Sequence, residues 1–379
     1  IATAGHVDHG KSTLIRALTG IETDRWEEEQ RRGLTIDLGF AWCALPSGRE
    51  VSFVDVPGHE RFIGNMLAGL GPVPIVLFVV AADEGWSAQS SDHRDAVKAL
   101  GISHGIIVIT RADRAPERVE AVIDEARREL AETGLADAPA CGVSGITGEG
   151  IDELRRVLDE LVASVSAASP HESVRLWIDR SFTIDGAGTV VTGTLGAGTV
   201  RPGDDLTLVS TRHGGAVPRT VSVRGVQSRG TREDVVEPVS RAALNLRQIP
   251  ASDIHRGDVL LTPGAFHLTR VVDVRSVSGD SLEDVPRETT IHVGSAAVTA
   301  RVRPLGAEHA RLTFDLPLPL VIGDRLVMRG TGERAVLGGV RVLDVDPPEL
   351  RRRGAGSARE TELEHMSEHG DARREIERR

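Results

Sequence analysis

The fold class predicted here is an α/β domain with a mostly parallel sheet and helices on both faces, followed by two all-β barrel domains. Three observations predict it. Short apolar runs alternate with helical stretches over the first 165 residues. Beyond a small-residue linker, SAASPHES (166–173), the runs become short, β-branched and punctuated by glycine and proline. At 379 residues the chain also exceeds one ordinary domain.

In the first part VSFVDV (51–56), IVLFVVAA (75–82), GIIVIT (105–110) and PACGVS (139–144) read as strands. ERVEAVIDEARRELAETG (117–134) and GIDELRRVLDELVASV (150–165) read as helices between and after them. Strands separated by helices give a parallel sheet covered on both faces. The longest apolar run, VPIVLFVVAA (73–82), suits a buried strand and is far shorter than a membrane span. A first barrel set runs from RLWIDRSFTI through GTVVTGTL, DLTLVS, RTVSVRGVQS and AALNLRQI to DVLLTP. A second runs from TRVVDVRSV through TTIHVGSAAVTARVRPL to AVLGGVRVLDV. The expected divisions are 1–168, 173–264 and 267–346, with 347–379 a charged segment. That last stretch is nearly free of apolar residues, so a solvated helix or disordered linker without a core is expected.

The net charge of −11 is unevenly spread. Residues 1–172 hold 16 Lys+Arg against 28 Asp+Glu, and the remainder is near neutral and rich in arginine. An RNA partner is therefore left open by composition. Cys43 and Cys141 form neither a disulfide framework nor a metal set, which fits small core residues and a cytoplasmic setting. The chain begins at Ile1, without a methionine, a few residues before a glycine-rich loop, and a few lost N-terminal residues are expected.

GHVDHGKS (5–12) matches the P-loop pattern. Gly5, His6, Val7, Asp8, His9 and Gly10 would turn backbone N–H groups around a phosphate, with Lys11, Ser12 and Thr13 opening the helix behind it. Lys11 would reach the β and γ phosphates, and the Ser12 hydroxyl would bind Mg²⁺. The chain has only two lysines, and a compact ammonium here is not replaceable by a guanidinium fork. Thr35, in RGLTIDLGF, and Asp55 and Gly58, in DVPGH, have the order of two nucleotide-sensing switches. In that arrangement Thr35 and Asp55 complete the Mg²⁺ shell and the Gly58 N–H senses the γ-phosphate.

TRAD (110–113) follows a predicted strand, where the base pocket of a parallel sheet lies. The Asp113 carboxylate can accept from N1 and the amino group of guanine and would repel adenine. Thr110 and Arg111 precede it, with Arg111 at a position where lysine is usual. Ser144 and Gly145, in VSG, fit the loop whose N–H meets the guanine oxygen. His59 follows Gly58 where many GTPases carry glutamine, and an imidazole can orient the attacking water in the same way.

GHVDHGKS, RGLTIDLGF, DVPGHERFIGNMLAG and Asp113 together resemble a translational GTPase of the elongation factor Tu group, whose body plan is a P-loop GTPase domain followed by two β-barrels. TIDLGFA, VPGHERFIGNMLAGLG and IDRSFTIDGAGTVVTGTL resemble the selenocysteine-specific elongation factors within it. The resemblance covers residues 1 to about 346 and implies GTP and Mg²⁺ at Asp8, Lys11, Ser12, Thr35, Asp55 and Asp113. It further implies that Val7 and Leu34 form an apolar gate holding back His59, with Asp8 beside them. A pocket for the aminoacyl group is implied at Asp179, Arg180 and Arg241. There a selenolate, ionised well below neutral pH, can pair with arginine while a serine hydroxyl cannot; close charge pairs couple by about 1.5–7 kcal/mol. The implied partners are selenocysteinyl-tRNA and the ribosome, with no membrane and a monomeric state.

Trp26-Glu27, Ser87-Ala88 and Arg111 depart from that pattern. The resemblance also implies a fourth, winged-helix domain reading an mRNA hairpin near a recoded UGA codon; the charged tail carries no such module, so a fragment is expected. A general aminoacyl-tRNA carrier, an ATP-using sulfate adenylyltransferase subunit and a regulatory protein with a dead GTPase site remain alternatives. Asp113 disfavours the adenine reading, and Thr35, Asp55, Gly58 and His59 disfavour the last.

Overall fold

The computed structural model describes the chain except residues 24–34, 167, 187, 213–216, 331–335, 353 and 367–379. The first domain holds β1 (Ala2–Ala4), β2 (Gly39–Ala44), β3 (Glu50–Asp55), β4 (Ile75–Ala81), β5 (His104–Thr110) and β6 (Ala140–Gly142). They form one sheet in the order β2-β3-β1-β4-β5-β6. All neighbours are parallel except β2, which runs antiparallel to β3 at the edge. The sheet is mostly parallel, as expected, with one antiparallel edge strand; β2 lay hidden because GFAWCA shows no clean alternation between polar and apolar residues.

Helices α1 (Lys11–Thr19), α2 (Ile63–Leu70), α3 (Ala88–Leu100), α4 (Val119–Leu130) and α5 (Ile151–Ser164) cover both faces. One face of the sheet is packed by α2, α3 and α4 through residues such as Met66, Val97 and Ile123, the other by α1 and α5 through Leu14, Ile15 and Leu158. In α4 the buried positions Val122, Ile123, Ala126 and Leu130 recur at helical spacing. This helix is shorter than the 117–134 expected: a 3-10 turn at Pro116–Arg118 precedes it. At the other end the Thr133 hydroxyl donates to the Leu130 carbonyl at 2.7 Å, closing it off. Ser87, a departure from the family pattern, caps α3 by accepting from the Ser90 N–H.

The second domain is built from β7 (Arg175–Ile184), β8 (Gly188–Leu195), β9 (Asp205–Val209), β10 (Arg219–Ser228), β11 (Thr231–Glu233), β12 (Ser240–Leu246) and β13 (Val259–Leu261). Its strands run in the order β11-β10-β12-β8-β7-β13-β9, and β9 pairs back onto β10 so the sheet closes on itself. The third domain, β14 (Thr269–Gly279), β15 (Glu288–Val293), β16 (Ala296–Pro304), β17 (His309–Leu318), β18 (Arg325–Gly330) and β19 (Val336–Asp344), is a closed barrel in the order β14-β17-β16-β15-β18-β19. The predicted α/β domain with two all-β barrels is therefore the observed architecture. No helix among the described residues is long and apolar enough to cross a membrane.

The three domains are packed together. Trp177 and Val259 of the second domain join the core of the third. The Arg175 guanidinium holds Asp324 with two bonds of 2.6 and 2.7 Å. Helix α3 lies so close to β19 that a Cβ on Gly339 would come within 2.4 Å of the Ala99 carbonyl oxygen. Only glycine fits that approach.

The charged end corrects the sequence expectation. Helix α6 (Ala355–Glu364) is docked on the third domain, with Leu363 packed on Leu305 and Leu343. Its anchor is Arg359, which is 3% exposed and bonds Asp273 and Asp344, 0% and 1% exposed. Arg311 bonds the same Asp273 carboxylate at 2.7 and 2.9 Å. A helix held by buried ion pairs shows little apolar pattern, so composition read it as solvated. Removing one partner of such a network leaves a buried charge, a loss of about 3–5 kcal/mol.

Candidate functional site

The phosphate loop joins β1 to α1 at the carboxyl end of the parallel strands, where ligands of open α/β sheets bind. Gly5, His6, Val7, Asp8, His9 and Gly10 make the turn, with Asp8 (φ 64°) and Gly10 (φ 79°) in the left-handed region. The Lys11 ammonium lies across the loop, donating to the Gly5 carbonyl at 3.0 Å and the His6 carbonyl at 2.7 Å. Gly58 rests against this mouth. A Cβ there would lie 2.5 Å from both Lys11 Nζ and the Val7 nitrogen, so the second switch approaches the loop only as glycine.

Of the three residues expected to hold magnesium, Ser12 and Thr35 meet, and Asp55 is held by two other hydroxyls. The Ser12 and Thr35 hydroxyls are 3.0 Å apart, although 23 residues separate them. Asp55, wholly buried at the end of β3, accepts from the Thr3 hydroxyl at 2.9 Å and the Thr23 hydroxyl at 2.8 Å. Two hydroxyls and a carboxylate are hard oxygen donors, the set a Mg²⁺ ion takes.

The residues expected to read the base lie in the loops after β5 and β6. Thr110 ends β5 and donates to the His9 carbonyl at 2.6 Å, tying this loop to the phosphate loop. The Arg111 guanidinium bonds the Asp8 carbonyl, Asp83 at 3.0 and 3.2 Å, and Glu84 at 2.5 Å. The unusual arginine is thereby a latch between two loops, held by a carboxylate pair the sequence reading did not single out. Asp113 stands exposed in the turn beyond it. Buried Ser144 accepts through its hydroxyl from the N–H of Ile146 and Thr147 and shapes the last loop, and Gly145 lies against Thr13 of α1.

His59 caps the 3-10 turn Glu60–Phe62. Its Nδ1 accepts from the Arg61 N–H at 3.2 Å, and its ring meets Phe62 edge-on at 6.1 Å. With Nδ1 accepting, the neutral ring carries its proton on Nε2. Val7, half-buried, donates its N–H to Gln89 at 3.4 Å; Leu34, its expected gate partner, lies outside the described residues, as do Trp26 and Glu27.

Sequence reading missed His93 of α3. Buried beside Lys11, its Nδ1 accepts from the Gly5 N–H at 3.1 Å and its ring bonds the Gly58 backbone. Burial, then the Lys11 charge, lowers its pKa to about 3; burial, then His6, lowers that of His9 to about 4. Both rings are neutral when folded and bind a proton on unfolding below the ordinary 6.5. Their stabilisation is full above that value and is lost as pH falls towards 4 and 3. By pH 5 we expect a loss of about 2 kcal/mol per histidine. Urea midpoints of the first domain at pH 7.5, 6 and 5 measure it, and His93→Asn should flatten the trend.

A cavity of about 260 Å³ opens between β2 and the second domain, lined by Phe40, Trp42, Arg180, Phe182, Thr192 and Arg241, among others. Phe40 is its centre: the Arg241 guanidinium lies 3.6 Å and that of Arg180 5.1 Å from its ring centroid. Asp179 does not face the cavity as an independent group. Both its oxygens bond Arg241, and one also accepts from the Thr192 hydroxyl at 2.8 Å. Arg180 bonds Asp37 at 2.8 and 3.1 Å and the Leu38 carbonyl. Phe40 and Asp37 were legible only as parts of TIDLGF, with no sign of their partners.

The elongation factor Tu GTP binding domain family matches residues 1–164, and the elongation factor Tu domain 2 family residues 188–261. The β-barrel domain of selenocysteine-specific elongation factor matches residues 278–349. The chain is 41% identical to the selenocysteine-specific elongation factor of Escherichia coli (strain K12), over 93% of this chain and 56% of that protein. It is 30% identical to elongation factor Tu 2 of Streptomyces avermitilis, over 73% of this chain and 75% of the relative. A crystal structure of bacterial selenocysteine-specific elongation factor superposes with a TM-score of 0.85 at 31% identity, covering 96% of this chain and 61% of that one. The chain spans little more than half the length of the selenocysteine-specific relatives it matches.

Proposed function

The chain belongs to the translational GTPases of the elongation factor Tu group, and we propose that it carries selenocysteinyl-tRNA to the ribosome in its GTP form and hydrolyses the nucleotide after codon recognition. The observation that carries this reading is the pair of guanidinia, Arg180 and Arg241, both stacked within reach of the Phe40 ring in the cavity between the first two domains. A partly desolvated pair of arginines suits an anionic aminoacyl side chain and gives a neutral hydroxyl little in return.

At the nucleotide, the phosphate-loop N–H groups and Lys11 hold the phosphates, and Asp113 accepts from the guanine edge. Ser12 and Thr35 would ligate Mg²⁺ directly and Asp55 through water; the ion neutralises charge developing on the transferred phosphoryl group. The Gly58 N–H, against Lys11, reads the γ-phosphate. His59 orients the attacking water once the ribosome moves its ring off the Arg61 cap, with Val7 and Leu34 as the gate. We place the factor in the cytoplasm as a monomer.

The test is protection of the aminoacyl ester from hydrolysis in the presence of a non-hydrolysable GTP analogue. Selenocysteinyl and seryl esters are compared on the same tRNA body. Slowed hydrolysis of the selenocysteinyl ester alone is expected. Equal protection of both would favour a general aminoacyl-tRNA carrier, a reading that the pairing of both cavity arginines with carboxylates keeps in view.

A further inference from the structure

A third guanidinium stands close to the cavity's charged groups without lining it. Arg256 lies in the loop before β13, and its Nη1 donates to Asn65 of α2 at 2.7 Å. The same nitrogen sits 3.6 Å from Asp37, the carboxylate that bonds Arg180. Its Nη2 is buried without a hydrogen-bond partner among the described residues. Asn65 also donates to the Ile36 carbonyl at 2.9 Å, next to Thr35. Three guanidinia (Arg180, Arg241 and Arg256) therefore share two carboxylates, Asp37 and Asp179.

Asp179 is committed to Arg241 through both oxygens. Asp37 is divided: one oxygen faces Arg180, the other Arg256. Among the described residues the cluster therefore sets three positive charges against two negative ones in a half-buried setting, where screening is weak. We propose that Arg256 is a positioning residue for aminoacyl selection: by drawing on Asp37 it leaves Arg180 under-neutralised, so that the cavity prefers a side chain carrying one negative charge. The inference rests on the aminoacyl reading of the cavity given above. Without Arg256, Asp37 would neutralise Arg180 fully and the cavity would be balanced, with nothing to distinguish a selenolate from a hydroxyl. Through Asn65 and Ile36 the same group is tied to the first switch, so the positive cavity and the position of Thr35 are set together.

The experiment measures ester protection for selenocysteinyl- and seryl-tRNA with Arg256→Gln, Arg256→Lys and the double variant Arg256→Gln/Asp37→Asn, binding of the GTP analogue serving as the check on folding. Arg256→Gln is expected to lower the selenocysteinyl-over-seryl preference at least tenfold with seryl-tRNA affinity unchanged. Arg256→Lys, which keeps the charge, should retain most of the preference. The double variant, which removes one charge of each sign, should regain preference over Arg256→Gln alone. Equal weakening of both tRNAs by Arg256→Gln would mark a merely structural residue and overturn the inference, as would an unchanged preference. Loss of preference in Arg256→Lys equal to that in Arg256→Gln would also overturn it. A wild-type chain without any preference would instead remove the aminoacyl reading on which the inference rests.

Discussion

His59→Ala is expected to slow ribosome-stimulated GTP hydrolysis by roughly 10²–10⁴-fold, the span over which a positioned proton-handling side chain contributes. Affinity for GTP should change little, because the contacts of the ring run to Arg61 and Phe62, whereas the phosphates would be held by the loop and Lys11. Single-turnover hydrolysis on programmed ribosomes, beside equilibrium binding of a GTP analogue, separates the two quantities. His59→Gln places a different water-orienting group at the same site and should recover part of the rate. A rate unchanged by His59→Ala would remove the residue from the mechanism.

Asp113→Asn is expected to change which base the protein accepts. A carboxylate receiving two hydrogen bonds from guanine loses charge-assisted bonds worth about 1.5–3 kcal/mol each. The cost is about 3–6 kcal/mol, or roughly 10²–10⁴ in affinity for GTP. The carboxamide can instead accept from N1–H and donate to the 2-carbonyl of xanthine, so affinity for xanthosine triphosphate should rise. Competition among GTP, ATP and xanthosine triphosphate for the variant measures this. The variant should fold normally, since Asp113 is exposed in its turn. Unaltered preference for guanine would place base reading elsewhere in the loop.

The expected nucleotide site could be proposed from sequence because phosphate chemistry demands contiguous residues. Gly5 through Ser12 must form one turn, and the order of Thr35, Asp55, Gly58 and Asp113 follows the order of the strands that carry them. The cavity was only half readable. Arg180 and Arg241 came from resemblance, but their partners are distant in the chain: Asp37 is 143 residues from Arg180 and Asn65 is 191 residues from Arg256. Composition gives no warning of such pairs, because an arginine in a buried ion pair and one in water have the same letter. The same blindness hid Arg359, and with it the docking of α6. His93 escaped notice because a histidine in a polar stretch such as AQSSDH gives no sign that the fold buries it against a glycine loop.

Helix α3 has a use that its packing makes concrete. Near its C-terminal end Ala99 touches Gly339 of the third domain, and about two turns earlier His93 holds the Gly5 N–H. A stiff rod thus joins a surface that no nucleotide reaches to the loop that would wrap the phosphates. A molecule that tilts the barrel and a molecule that fills the loop load the same rod. Thermodynamic reciprocity then requires that each alter the other's affinity by one and the same factor.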